Sequence, residues 1–226
     1  MVYVPAGEFT MGSNDGDSYD KPIHTVALDA YWIDRTEVTN VMYAICVQVG
    51  DCQTPSNTSS STRNSYYGNS QYADYPVIYV DWNTAQTYCG WAGARLPTEA
   101  EWEKAARGTD ERTYPWGSSS PGSSLLNYNQ SVGDTTAVGS YPAGVSPYGA
   151  LDMAGNVWEW VNDWYGETYY SQSPSSNPQG PVSGNDRVLR GGSWGSYVGD
   201  FRSAVRSGYY PTVFNKNIGF RCVLSP

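Results

Sequence analysis

The segment Arg190 to Cys222, RGGSWGSYVGDFRSAVRSGYYPTVFNKNIGFRC, does most to limit what this chain can become. Short blocks (Arg190-Gly191-Gly192-Ser193-Trp194, Arg202-Ser203-Ala204, Ile218-Gly219-Phe220-Arg221-Cys222) alternate with runs that repeat neither every two residues nor every 3.6. Gly195-Ser196-Tyr197-Val198-Gly199-Asp200-Phe201 writes neither a helix nor a strand. Such a segment reads as a loop surface held in a frame, the kind of place where binding specificity sits.

The rest of the chain supports that reading. It holds 20 Tyr, 9 Trp and 24 Gly but only 15% charged residues, which suits a loop-rich fold. Tyr and Trp can bury a ring there and still satisfy its polar tip. A formal charge of −9 argues against a nucleic-acid partner, because phosphate binding needs clustered Lys and Arg. No apolar run approaches the ~20 residues of a membrane helix, so membrane insertion is not expected. Met1-Val2-Tyr3-Val4-Pro5 shows no signal-peptide pattern.

Three helices are expected. The first is opened by Thr36-Glu37-Val38-Thr39 and stops at Gly50. The second is capped by Asn83, covers Thr84 to Trp91 and ends at Gly93. The third has Thr98-Glu99-Ala100-Glu101 as a capping box and Gly108 as its stop. Short strands are expected at Thr25 to Leu28, Tyr31 to Asp34, Val77 to Val80, Val188 to Arg190 and Gly219 to Val223. Ser56 to Ser70 and Tyr169 to Gly184 read as polar surface loops. Without a repeat or a composition break, residues 1–226 read as one domain of the α+β class.

Four cysteines allow three pairings. Cys46 and Cys52 are close enough in sequence to close a small loop, and Cys89 with Cys222 would then tie mid-chain to the C-terminus. Oxidised pairs would place the chain in an exported or cell-surface setting, whereas the alternative is buried free thiols. A single histidine, His24, and no Cys-x-x-Cys argue against zinc.

Several blocks together resemble the formylglycine-generating enzyme (sulfatase-modifying factor) family. They are Phe9-Thr10-Met11-Gly12, Ile33-Asp34-Arg35-Thr36-Glu37-Val38-Thr39-Asn40, Arg95-Leu96-Pro97-Thr98-Glu99-Ala100-Glu101-Trp102-Glu103, Asp152-Met153-Ala154-Gly155-Asn156-Val157-Trp158-Glu159-Trp160, the Gly-Gly-Ser block and Ile218-Gly219-Phe220-Arg221-Cys222. The resemblance implies a C-type-lectin-like fold of that enzyme's subtype, with few helices, short antiparallel strands and much irregular structure. It also implies the Cys89–Cys222 pairing. The enzymes of the family use two cysteines and copper after the Gly-Gly-Ser motif, but here Trp194 to Asn217 contains no cysteine. Ser196 stands at the first of those positions, and a hydroxyl replaces neither a thiolate nucleophile nor a soft-metal ligand. No copper and no formylglycine synthesis are expected, and no catalytic residue is assigned.

Structural calcium is what the resemblance implies instead. One ion would use the Asp152 and Glu159 side chains with the Gly155 and Val157 carbonyls. A second would use Asn127, the Tyr128 carbonyl, Asp134 and the Thr136 carbonyl. Hard oxygen donors on irregular loops suit Ca²⁺.

The runs within residues 194–217 carry one more pattern. Gly195, Ser196, Tyr197, Val198, Gly199, Asp200, Phe201, Val205, Ser207, Gly208, Tyr209, Tyr210, Thr212, Val213, Phe214 and Asn215 can each be encoded by an asparagine codon altered only at its adenines. Lys, Glu, Gln, Met and Trp, which that scheme cannot produce, are absent from residues 195–215. The pattern resembles the target proteins of diversity-generating retroelements. With Trp194 at its edge, the run would be a varied surface for a protein or glycan ligand on another cell or particle. Tyr with Ser, Gly and Asn is also the composition of adaptable binding loops.

Overall fold

A computed structural model of the protein describes residues 1–225. Its elements follow in chain order as β1 (Val2–Val4), β2 (Gly7–Met11), β3 (His24–Leu28), β4 (Tyr31–Ile33), α1 (Asn40–Val49), α2 (Trp82–Trp91), α3 (Glu99–Arg107), β5 (Trp158–Trp164), β6 (Arg187–Arg190), β7 (Arg206–Tyr209), β8 (Ile218–Phe220) and β9 (Val223–Leu224). The strands form three small sheets, ordered β1-β4-β9, β2-β3 and β7-β6-β5-β8. Only β5 and β8 run parallel among these pairs. Few helices, short mostly antiparallel strands and long irregular connections give the C-type-lectin-like, α+β arrangement expected.

The helix ends follow local chemistry. Thr39 caps α1, accepting from the Met42 amide, and Gly50 stops it at φ 91°. Around α3 the capping box is present in full: the Thr98 hydroxyl accepts from the Glu101 amide while the Glu101 carboxylate accepts from the Thr98 amide. For α2 the expected cap is corrected. Asp81, not Asn83, accepts the Thr84 amide at 2.8 Å, and the helix begins at Trp82.

Val77 to Val80 is not a strand. Tyr79 has φ 58°, which breaks an extended run, although Val77, Ile78 and Val80 are buried. Four strands were not expected: β1 and β2 near the N-terminus, β5 because Glu159 and Asp163 interrupt its apolar pattern, and β7 because it lies in the aperiodic tail. Both acidic residues are nonetheless buried.

The four-stranded sheet separates two cores. Register places Trp160, Leu189, Ser207 and Phe220 on one face, against α1 and α2 and the Tyr43, Trp82 and Tyr88 rings. On the other face, Glu159, Arg190 and Arg206 lie in one row towards α3. All of α3 is buried, and it sends Glu99 and Glu103 into that row. Arg190 Nη2 donates to Glu103 Oε2 at 2.6 Å, and Arg206 reaches both Glu99 oxygens at 2.7 and 2.6 Å. Arg221 in turn grips both oxygens of Glu159 at 2.7 Å.

Asp163 accepts the Glu99 amide at 2.8 Å beside these pairs. Burial, aided by the Glu99 charge, pushes its carboxyl well above its ordinary value. A folded-state value raised in this way gives stability at low pH that is lost as pH rises from the ordinary carboxylate range through the raised value. Asp163→Asn is therefore expected to flatten the decline of unfolding free energy as pH rises above the ordinary carboxylate range, read from urea melts across pH.

Candidate ligand-binding surface

Residues 194–217 are held to the frame largely through their backbone. The amides of Gln130 and Asn129 donate to the Trp194 and Ser196 carbonyls at 2.8 and 3.0 Å. Trp82, Tyr79 and Trp158 amides donate to the carbonyls of Pro211, Asn215 and Asn217 at 3.1, 3.0 and 2.8 Å. Buried Arg190 donates to the Ser203 and Ala204 carbonyls at 2.7 and 3.0 Å. None of these bonds uses a side chain of the segment, so side chains other than those of Arg202 and Arg206, which bind the Asp15 carbonyl and Glu99, can change while the path of the chain stays fixed. The Gly191-Gly192 turn has φ 93° and 74°, and a Cβ at Gly192 would lie 2.8 Å from the Phe201 ring.

The candidate binding residues divide by exposure. Tyr197 and Tyr210 are 65% and 64% exposed, and Val198, Gly199, Tyr209, Thr212 and Phe214 are exposed with them. Gly195, Ser196, Asp200, Ser207, Gly208, Val213 and Asn215 are half-buried. Three are corrected. Trp194, Phe201 and Val205 are buried, and Phe201 packs with Leu126 and Ala154 and edge-on to Tyr128. The 3-10 turn Val198–Phe201 turns its first residue outward and its last inward. Phe201 is therefore frame.

Both disulfides are formed. Cys89–Cys222 joins α2 to the end of the tail, and Cys46–Cys52 closes the end of α1, which leaves no free thiol among the described residues. Ser193, Trp194, Ser196, Lys216 and Asn217 line a hollow of about 380 Å³. The Ser193 and Ser196 hydroxyls are 3.4 Å apart, and Asn217 Nδ2 donates to Ser193 Oγ at 3.2 Å. No imidazole, carboxylate or thiol lines that hollow. His24 lies elsewhere, its ring against Tyr170.

The residues expected to hold calcium fit it unequally. Asp134 does not fit. It accepts from Ser60, from the Thr62 amide and hydroxyl and from the Thr135 amide, with Arg63 at 3.2 Å. Burial works to raise its carboxyl, but these donors hold it below its ordinary value. Asn127 Nδ2 donates to the Asp134 carbonyl, whereas its buried Oδ1 has no protein partner, and the Thr136 carbonyl accepts from Asn156 Nδ2 at 3.4 Å. Glu159 does not fit either, since Arg221 and the Trp102 indole N–H take both of its oxygens.

Asp152 does fit. Its carboxyl lies beside that of Glu37, which is not among the ligands the resemblance implies. Glu37 Oε1 accepts from Asn156, whereas its buried Oε2 has no partner. Burial, reinforced by the Asp152 charge, pushes Glu37 well above its ordinary value. Two facing buried carboxyls with an unpartnered oxygen suit a shared proton or a hard cation. The signal was an acid set among buried residues, Val38 and Thr39 next to it.

The sequence profile of the Sulfatase-modifying factor enzyme 1-like domain matches residues 1–226. The chain belongs to that family. It is 36% identical to the formylglycine-generating enzyme of Streptomyces coelicolor, over 98% of this chain and 88% of the enzyme. It is 39% identical to the serine/threonine-protein kinase pkn1 of Chlamydia caviae, over 98% of this chain but only 37% of the kinase's length. Among solved structures, Treponema denticola variable protein 1 superposes with a TM-score of 0.80 and 27% identity, covering 100% of this chain and 95% of that one. PvdO from Pseudomonas aeruginosa superposes with a TM-score of 0.82 and 27% identity, covering 98% and 92%. The scaffold is thus one that serves both enzymes and a variable protein.

Proposed function

We propose that the protein is a ligand-binding protein whose C-terminal surface is varied by a retroelement while its frame stays constant. The observation that carries this reading is the backbone anchoring of residues 194–217, with Tyr197, Tyr209, Tyr210 and Phe214 turned outward. Rigid rings supply contact area at low entropic cost, and Ser, Gly and Asn between them supply shape. The ligand would be a protein or glycan displayed on another cell or particle, met in an oxidising setting that keeps both disulfides closed. An enzyme of altered chemistry is less well supported, because the hollow at Ser193 and Ser196 brings no imidazole, carboxylate or thiol to a substrate and its lysine, Lys216, donates to the Ser61 hydroxyl at 3.3 Å.

Tyr197, Tyr209, Tyr210 and Phe214 replaced together by Ala are expected to leave the melting temperature within a few degrees while abolishing ligand binding. Phe201→Ala is expected instead to destabilise by about 3–5 kcal/mol, since it opens a cavity in the frame. Unfolding of the fourfold variant would show these rings to be core and overturn the reading.

A structural calcium ion belongs to the same reading. Asp152 and Glu37 would hold it, and its charge would offset the burial that raises both carboxyls. Calcium at 100 times its dissociation constant is expected to stabilise the protein by about 2.7 kcal/mol. Glu37→Gln should lose that gain in calcium-dependent melts.

A further inference from the structure

Beside Phe214 lies a hollow of about 440 Å³, which residues outside the 194–217 segment help to build. Each of its walls is pinned from behind. The Cys46–Cys52 bond and the Tyr43 hydroxyl, which donates to the Gln53 carbonyl at 2.9 Å, hold the loop that carries Asp51 and Gln53. The cap at Asp81 fixes the first turn of α2, which presents Asn83. Backbone bonds at Pro211 and Asn215 place the Phe214 ring, 44% exposed, opposite them.

The polar groups here are of two kinds. Asp81 and Thr84 serve the cap, and the Thr87 hydroxyl donates to the Asn83 carbonyl. Asp51, Gln53 and Asn83 are exposed, and among the described residues their side chains hydrogen-bond to no protein group. An acceptor and two donor–acceptor amides therefore surround one aromatic plate with their bonding capacity unspent.

We infer that this hollow takes a neutral saccharide unit, its C–H face on Phe214 and its hydroxyls on Asp51, Gln53 and Asn83. Charge excludes an anionic ligand, for no Lys or Arg lines the hollow and two carboxylates do. An ammonium or guanidinium only donates, which would leave the amide hydrogens of Gln53 and Asn83 without acceptors. A sugar hydroxyl both donates and accepts, so it suits carboxamide and carboxylate alike. The inference rests on the proposed function through Phe214. It goes further in naming the ligand class and in assigning part of its recognition to Gln53 and Asn83, which lie in the frame.

The test uses the whole chain on an array of neutral glycans, with NMR titration by methyl glycosides of glucose, galactose, mannose and N-acetylglucosamine. At least one neutral glycan is expected to bind. Gln53→Ala and Asn83→Ala should each weaken it about tenfold, as the loss of one hydrogen bond implies, with melting temperatures unchanged. Phe214→Ala should do the same, and Phe214→Trp should retain binding. A blank array, binding indifferent to these substitutions, or binding of an oligolysine peptide alone would each overturn the inference. A blank array beside a protein ligand that is lost with Tyr197→Ala and Tyr210→Ala would leave the proposed function standing. Indifference of every ligand to those tyrosines would remove both.

Discussion

Arg190→Met is expected to destabilise the protein by about 3–5 kcal/mol, a large part of the roughly 5–15 kcal/mol that holds a typical domain together. The arginine is fully buried and donates to Glu99, to Glu103 and to the carbonyls of Ser203 and Ala204. Methionine fills similar space but leaves a surplus of buried negative charge and two carbonyls without donors. Arg112→Ala is the control. That pair with Asp110 is largely at the surface, where such contacts are worth about 0–1 kcal/mol. Urea unfolding separates the two outcomes. Because the Ser203 and Ala204 carbonyls belong to the segment, Arg190→Met should also speed amide exchange in residues 197–205, loosening the surface before the protein unfolds.

Removal of the Cys89–Cys222 bond carries the second large effect. It joins residues 133 apart, whereas Cys46–Cys52 spans 6. Loop-closure entropy assigns about 5 kcal/mol to the longer bridge and about 2 kcal/mol to the shorter. Cys89→Ala with Cys222→Ala should therefore lower the denaturation midpoint far more than Cys46→Ala with Cys52→Ala. Equal losses would mean that native-state strain, or structure in the unfolded chain, outweighs chain entropy. The bridge also ties the end of the tail to α2, so its loss should weaken ligand binding under conditions where the fold survives.

The parts of the molecule that could be read from sequence are those governed by neighbours in the chain. Thr98 and Glu101 announce the start of α3 within four residues, and Gly50 announces the end of α1. The blocks around the Gly-Gly-Ser motif mark the frame. What could not be read depends on partners far away. β5 carries Glu159 and Asp163 inward because Arg221 and the Glu99 amide meet them there, from 62 and 64 residues away in sequence. An alternation rule that sends charge to solvent misses such a strand. The family resemblance puts Asp134 on a metal, yet Arg63, Ser60 and Thr62 already satisfy it. Phe201 has the same codon character as Tyr197, and only the turn between them shows that one faces the core and the other the solvent.

The central claim is that a fixed frame presents a changing surface, and sequencing this locus in many isolates, with the neighbouring DNA, tests it most directly. The expected result is substitution concentrated at the codons of Tyr197, Val198, Tyr209, Tyr210, Thr212 and Phe214. It should arise only at adenines of a near-copy beside a reverse transcriptase gene, and spare Arg190, Ser193, Arg206 and Arg221. Uniform substitution across the chain, with no such copy nearby, would contradict it.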